Sequence, residues 1–168
     1  MFLYNLLILP NIKQEQNHKT SIIFTILNLF FKYLGCLLDS KNTGSDMANA
    51  LRTKCNNRHK YLYQQCGGLN KQSRKTLCNA LILSHFDYAA PSWYYGLSKD
   101  DRHNLQICQN KIVRFVSNSH SRTHVGPEEV ESLHWLNIEY RVNYLTLVYA
   151  HSIYYNLAAT YLSENFTK

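Results

Sequence analysis

The chain of 168 residues has room for one compact domain and not for two comfortable ones. With 45% hydrophobic and 13% aromatic residues, including thirteen Tyr, it can fill a core, which excludes disordered, collagen-like and low-complexity classes. Eighteen Lys and Arg against eleven Asp and Glu leave a formal charge of +7, and only six Gly and three Pro argue against a turn-rich all-β domain.

Residues 1–44 are rich in Ile, Leu, Phe and Asn. Between Ile22 and Leu38 the density of β-branched and aromatic side chains predicts two short buried strands, around 20–27 and 30–37. Asp39 to Gly44 then reads as a turn. After it the helical period takes over. Met47, Leu51, Cys55, Leu62 and Cys66 share one face, predicting an amphipathic helix over about 45–65 with Ser45 as its cap and Gly67-Gly68 as its stop. Asn70 can cap a second helix through Leu77, Leu81 and Ser84. Pro91 forces a kink or an end near Ala90.

Ser98 opens a third helix, with Asp101 at the capping-box position and Leu105, Cys108, Ile112, Phe115 and Val116 as its apolar face. Pro127 with Glu128 and Glu129 fits the first turn of a fourth. Asn137 caps a fifth that runs to about Leu157, apolar nearly all round and expected at the centre of the core. The expected fold is mainly α: a two-strand N-terminal β remnant followed by about five helices.

The charge is unevenly placed. Residues 1–80 hold eleven basic and three acidic side chains, a net +8; residues 81–168 hold the remaining seven basic and eight acidic, a net −1. That imbalance points the first half at a polyanion, nucleic acid or an acidic membrane surface; the plainer reading is solubility charge. Lys71, Arg74 and Lys75 share one face of a helix's first turns, where cations oppose the dipole and a docked phosphate would reverse the sign. Arg58 falls inside the apolar stripe of the first helix, flanked by Lys54 and Tyr61. A guanidinium there either snorkels or pairs with a buried acid or a phosphate, and interleaved cations and aromatics suit a nucleic-acid backbone.

Other constellations are weaker. The motifs GxSxG, GxGxxG, HExxH and the Walker loop are all missing. Cys55 with His59 and His120 with His124 have ligand-like spacing, but a structural zinc site needs four ligands. Asp100-Asp101 follows a helix cap, where dipole compensation explains it better than Mg²⁺. The five cysteines are odd in number and contain no CxxC, which reads as free thiols in a reducing compartment, cytoplasm or nucleus. Met1 to Pro10 lacks the charged leader and cleavage site of a signal peptide. The apolar run Ser21 to Phe31 falls short of the roughly 20 residues a spanning helix needs, so no stable membrane association is expected.

Five segments in order carry a resemblance. Asn17 to Phe24 (NHKTSIIF), Phe31 to Asp39 (FKYLGCLLD), Leu81 to Tyr88 followed by Trp93 (LILSHFDY…W), Leu105 to Phe115 (LQICQNKIVRF), and Leu133 to Ile138 with Arg141 (LHWLNI…R) are all involved. Together, over roughly residues 17–166, they resemble non-LTR retrotransposon reverse transcriptases of the jockey-type LINE elements. The resemblance implies three segments: an unmatched apolar 1–16, a truncated palm edge and primer-grip strand at 17–40, and a helical thumb with C-terminal extension at 41–168. It also implies RNA-directed DNA polymerase ancestry, with an RNA or DNA template–primer duplex as partner.

The departures from the family pattern matter as much. The "(F/Y)xDD" aspartates and the upstream palm Asp are absent, Ser84 and Asn137 replace prolines, and Ala158-Ala159 replace the usual "PxYL" lead-in. The parent enzyme's Mg²⁺ ions therefore have no carboxylates here, so the chain is expected to bind no cofactor and to be inactive alone. The residues expected to grip phosphates are Lys54, Arg58, Lys71, Arg74 and Lys75, with Lys32 and Tyr33 near a primer end. The rival expectation is a non-enzymatic helical interaction domain whose basic face meets an acidic protein.

Overall fold

A computed structural model describes residues 31–39 and 41–163. The strand expected around 20–27 and the segment 1–16 lie outside the described residues. The chain is mainly α-helical, as expected, with one small antiparallel sheet.

That sheet corrects the second strand expected at 30–37. It is a hairpin: β1 (Phe31–Tyr33) pairs with β2 (Cys36–Leu38), with Phe31 opposite Leu38 and Tyr33 opposite Cys36. Leu34 and Gly35 both take positive φ, 45° and 88°, the backbone that a two-residue primed turn requires. A leucine at the first of those positions gives no turn signal, so the segment reads as continuous strand until its backbone is seen.

The Asp39 carboxylate then organises the connection. It accepts the Thr43 and Gly44 N–H groups and the Thr43 hydroxyl, each at 2.8 Å. Helix α1 (Ser45–Gln65) starts from Gly44 rather than from the expected cap Ser45. Gly44 has φ 74° and lies against the Trp93 carbonyl, where an added Cβ would come within 2.3 Å of the oxygen. Ser45 is already helical, and its hydroxyl donates to Asp101 at 2.8 Å. The predicted face is buried: Met47, Leu51, Cys55 and Leu62, joined by Ala48.

Helix α2 (Lys71–Cys78) is capped by Asn70, whose side chain accepts the Ser73 N–H at 2.8 Å. It runs on through a π-helical turn, Asn79–Leu83, into α3 (Ser84–Asp87), burying Cys78, Ile82, Leu83 and Phe86. The break before Pro91 falls at Ala89, with φ 48°, and a short α4 (Ala90–Trp93) follows. Helix α5 (Lys99–Ser117) has the expected Ser98 cap, 3.1 Å from the Asp101 N–H. Helix α6 (Pro127–Ser132) has Pro in its first turn, and the Glu129 carboxylate reaches back 2.8 Å to the Gly126 N–H. Helix α7 (Ile138–Tyr154) is capped by Asn137, and α8 (Thr160–Ser163) ends the described chain.

The molecule is built around α5. Helices α1, α2 and α7 all pack on it, and it buries Leu105, Cys108, Gln109, Ile112, Val113, Phe115 and Val116. Helix α7 corrects a second expectation. It is not central: only Ile138, Val142 and Ile153 are buried, while Tyr140, Tyr144, Leu147, Val148 and Tyr149 stay exposed. The apolar count was inflated by tyrosines, whose hydroxyl keeps one end content in water.

Polar bonds fix α7 against the bundle. Arg141 and Asp87 form a two-pronged pair between α7 and α3, the outer contact at 2.6 Å. Gln109, fully buried, donates to the Leu136 carbonyl at 2.7 Å, and Gln106 accepts the Ile138 N–H at 3.1 Å.

Because Gly44 combines positive φ with backbone contact, Gly44→Ala is expected to cost about 2–4 kcal/mol. Urea denaturation of the two proteins measures it. Gly68→Ala, where nothing lies within 4 Å, is the comparison that should stay within about 0.5 kcal/mol.

Candidate nucleic-acid interface

The seven residues expected to contact a duplex differ in exposure and fall into three classes. Lys32 and Tyr33 stand exposed on β1, Tyr33 stacked at 6.4 Å on Phe31. Lys54 is exposed on α1, and Lys71 is exposed at the start of α2. Arg58 and Lys75 are half-buried. Arg74 is buried, at 8% exposure.

Arg74 is therefore withdrawn from the surface cluster, and its bonds explain why. One guanidinium nitrogen donates to the Phe115 carbonyl and the Asn118 side chain, both at 3.0 Å, and the other donates to the Gly67 carbonyl. The group also lies over the Phe115 ring, 5.4 Å from its centroid. It bonds carbonyls at the ends of α1 and α5, where intrahelical donors run short, and its guanidinium is therefore engaged within the fold. Lys71 and Lys75 are left on α2 without the arginine between them.

Arg58 resolves the oddity of a cation in an apolar stripe. Its guanidinium donates to the Leu81 carbonyl, inside the π-helical turn. A π turn displaces carbonyls from their usual partners, so a donor from α1 fits there. Its neighbour Lys54 stands one turn earlier on the same flank, and His85 faces both. Burial, then the nearby Lys54 and Arg58 charges, hold the His85 imidazole below its ordinary range. Lys54, Arg58 and His85 thus converge where α1 meets the π turn.

The other flank of α1 holds a feature that charge counting missed. Between α1 and α5 lies an open surface cleft of about 500 Å³ lined by Arg52, Asn56, Asn57, Asn104 and Lys111, with Cys108 among the residues at its wall. Lys111 spans it to Asn56 at 2.9 Å. The sequence did carry a signal: Arg52 and Asn56 are one turn apart, beside the apolar stripe, opposite the polar positions of LQICQNK.

Comparison with family models, with curated proteins and with solved structures returns no match. Chemistry at the site is then read from its own side chains. Among the described residues no group of three His, Cys, Asp or Glu could hold a metal ion, and no helix is long and apolar enough to cross a membrane. His59 packs edge-on against Phe115 at 6.1 Å, and Asp101 is engaged by Ser45 and Ser98. Among the described residues the one salt bridge joins Arg141 and Asp87. The exposed cations Arg52, Lys54, Lys60 and Lys71 accordingly have no carboxylate partner there.

Arg74 and Lys71 separate structure from surface. Arg74→Met leaves buried carbonyls unpaired and is expected to lower stability by about 2–4 kcal/mol. Lys71→Ala is expected to change it by less than about 0.5 kcal/mol. Chemical denaturation of both variants against the parent gives the answer.

Proposed function

We propose that this chain is the duplex-holding helical part of a non-LTR retrotransposon reverse transcriptase, and that it binds RNA or DNA template–primer duplexes through their phosphates without polymerising. The observation that carries the reading is the set of cations on α1 and the start of α2 that lack carboxylate partners among the described residues. Unneutralised charge of one sign on a helix face favours a ligand with repeated negative charge. The five resembling segments support the ancestry, and the residues of this chain hold no "(F/Y)xDD" pair through which metal chemistry would run, so the reading is confined to binding.

Within the proposal the roles are specific. Lys54 and Arg52 meet phosphates from the two flanks of α1, and Lys71 extends the track onto α2. Arg58, anchored to Leu81, contributes field more than contact. Lys32 and Tyr33 on the exposed hairpin strand stand near a primer end, with the Tyr33 ring offered for stacking.

A salt titration of duplex binding tests this. Three to four phosphate contacts give a log–log slope of about −3 to −4, and Lys54→Ala or Lys71→Ala reduces its magnitude by about 1 each. His85 supplies an independent readout. Its depressed pKa means the unfolded chain binds the proton more readily, so its contribution to stability falls as pH drops below the ordinary histidine range. A phosphate beside Lys54 and Arg58 offsets their charge, so the His85 NMR titration midpoint is expected to rise when duplex is added. No binding at low salt, with His85 unmoved, overturns the reading in favour of an acidic protein partner.

A further inference from the structure

We propose that the exposed face of α7 is a dimer interface, on which two copies of this chain pack antiparallel through Tyr140, Tyr144, Leu147, His151 and Tyr154. The spacing is the first argument. These five positions step by four, three, four and three residues, the period of a helix–helix seam. All five are exposed, with Tyr140 at 62%, Leu147 at 69% and Tyr154 at 59%. The buried residues Ile138, Val142 and Ile153 lie on the opposite side, so the stripe is surplus to the monomer's own core.

The occupant follows from the order of the side chains. Turned end for end about Leu147, the stripe matches itself: Tyr140 meets Tyr154, Tyr144 meets His151, and Leu147 meets Leu147. A two-fold interface requires that kind of self-complementarity. Charge agrees. The stripe contains no Asp, Glu, Lys or Arg, so two copies meet with no fixed like charges opposed. The free face of α1, carrying Arg52, Lys54 and Lys60, would repel its own copy. A polyanion, conversely, finds nothing to hold on α7.

The area is that of a small interface. At ~150–250 Å² for a whole aromatic side chain, and at their fractional exposures, the five stripe residues offer on the order of 500 Å² per copy. A standard interface takes roughly 800 Å² per partner, so residues flanking the stripe, such as Tyr155, must join it.

Sedimentation velocity on the full chain, over a rising concentration series, tests the proposal. A dimer is expected for the parent, and a monomer for Leu147→Asp and for Tyr144→Asp. Circular dichroism should show helical content unchanged, since both sites are exposed. Orientation is read by oxidative cross-linking: Leu147→Cys forms a disulfide-linked dimer and Tyr140→Cys does not, because Tyr140 faces Tyr154. A parent chain monomeric throughout, as when a segment of the same chain covers the face, overturns the proposal. So does a dimer that survives both aspartates, or cross-linking at position 140 as efficient as at 147.

Discussion

The guanidinium of Arg74 is the point on which the helical body closes. Three segments end within its reach: the Gly67 turn after α1, the start of α2, and the last turn of α5 with Asn118. The first and the last bring carbonyl and amide oxygens from helix C-terminal ends, where intrahelical donors run short, and α2 brings the guanidinium itself. Burying a cation is costly, and several charge-assisted bonds with an aromatic face beneath them offset that cost. Once α1, α2 and α5 are locked in this way, their outer faces are set. The α1–α5 cleft, the Arg58 contact at the π turn and Lys54 all lie on the helices that meet at this guanidinium.

The segments that resemble a polymerase family meet one another in space. Tyr88 of HFDY donates to the Leu34 carbonyl of FKYLG. Asp87, beside it, pairs with Arg141, which follows LHWLNI. Gln106 and Gln109 of LQICQNK hold the backbone of Leu136 and Ile138. These side chains join elements distant in sequence into one body, and the exposed cations of α1 and α2 take no part in those bonds. Apart from Lys32 and Tyr33 in FKYLG, the residues proposed to contact a duplex lie outside the resembling segments.

Two helices of similar length end up with opposite outer chemistries. Helix α1 turns Leu51, Cys55 and Leu62 inward and shows Arg52, Lys54 and Lys60 outside; α7 turns Ile138 and Val142 inward and shows tyrosines outside. A nucleic-acid backbone favours the first because charge repeats along it. The second has no charge to offer and gains only by removing ring surface from water. The proposed duplex contact and the proposed self-association therefore use different faces and need not compete.

Local signals carried much of the architecture. Asn70, Ser98 and Asn137 cap their helices as their side chains allow, because a cap is a bond spanning three residues. The apolar periods of α1 and α5 likewise name their buried faces correctly, since each has one polar and one apolar side. Where the decisive partner is distant, sequence was mute or misleading. Gly44, not Ser45, is the cap, and with the Trp93 carbonyl against it that position has no room for a side chain. Arg74 reads as one of three surface cations until the ends of α1 and α5 arrive around it. Helix α7 reads as core until only one of its sides finds neighbours. What the sequence alone determined was the bond a residue makes with its own turn; which charges and which rings remain outside was decided by helices arriving from elsewhere in the chain.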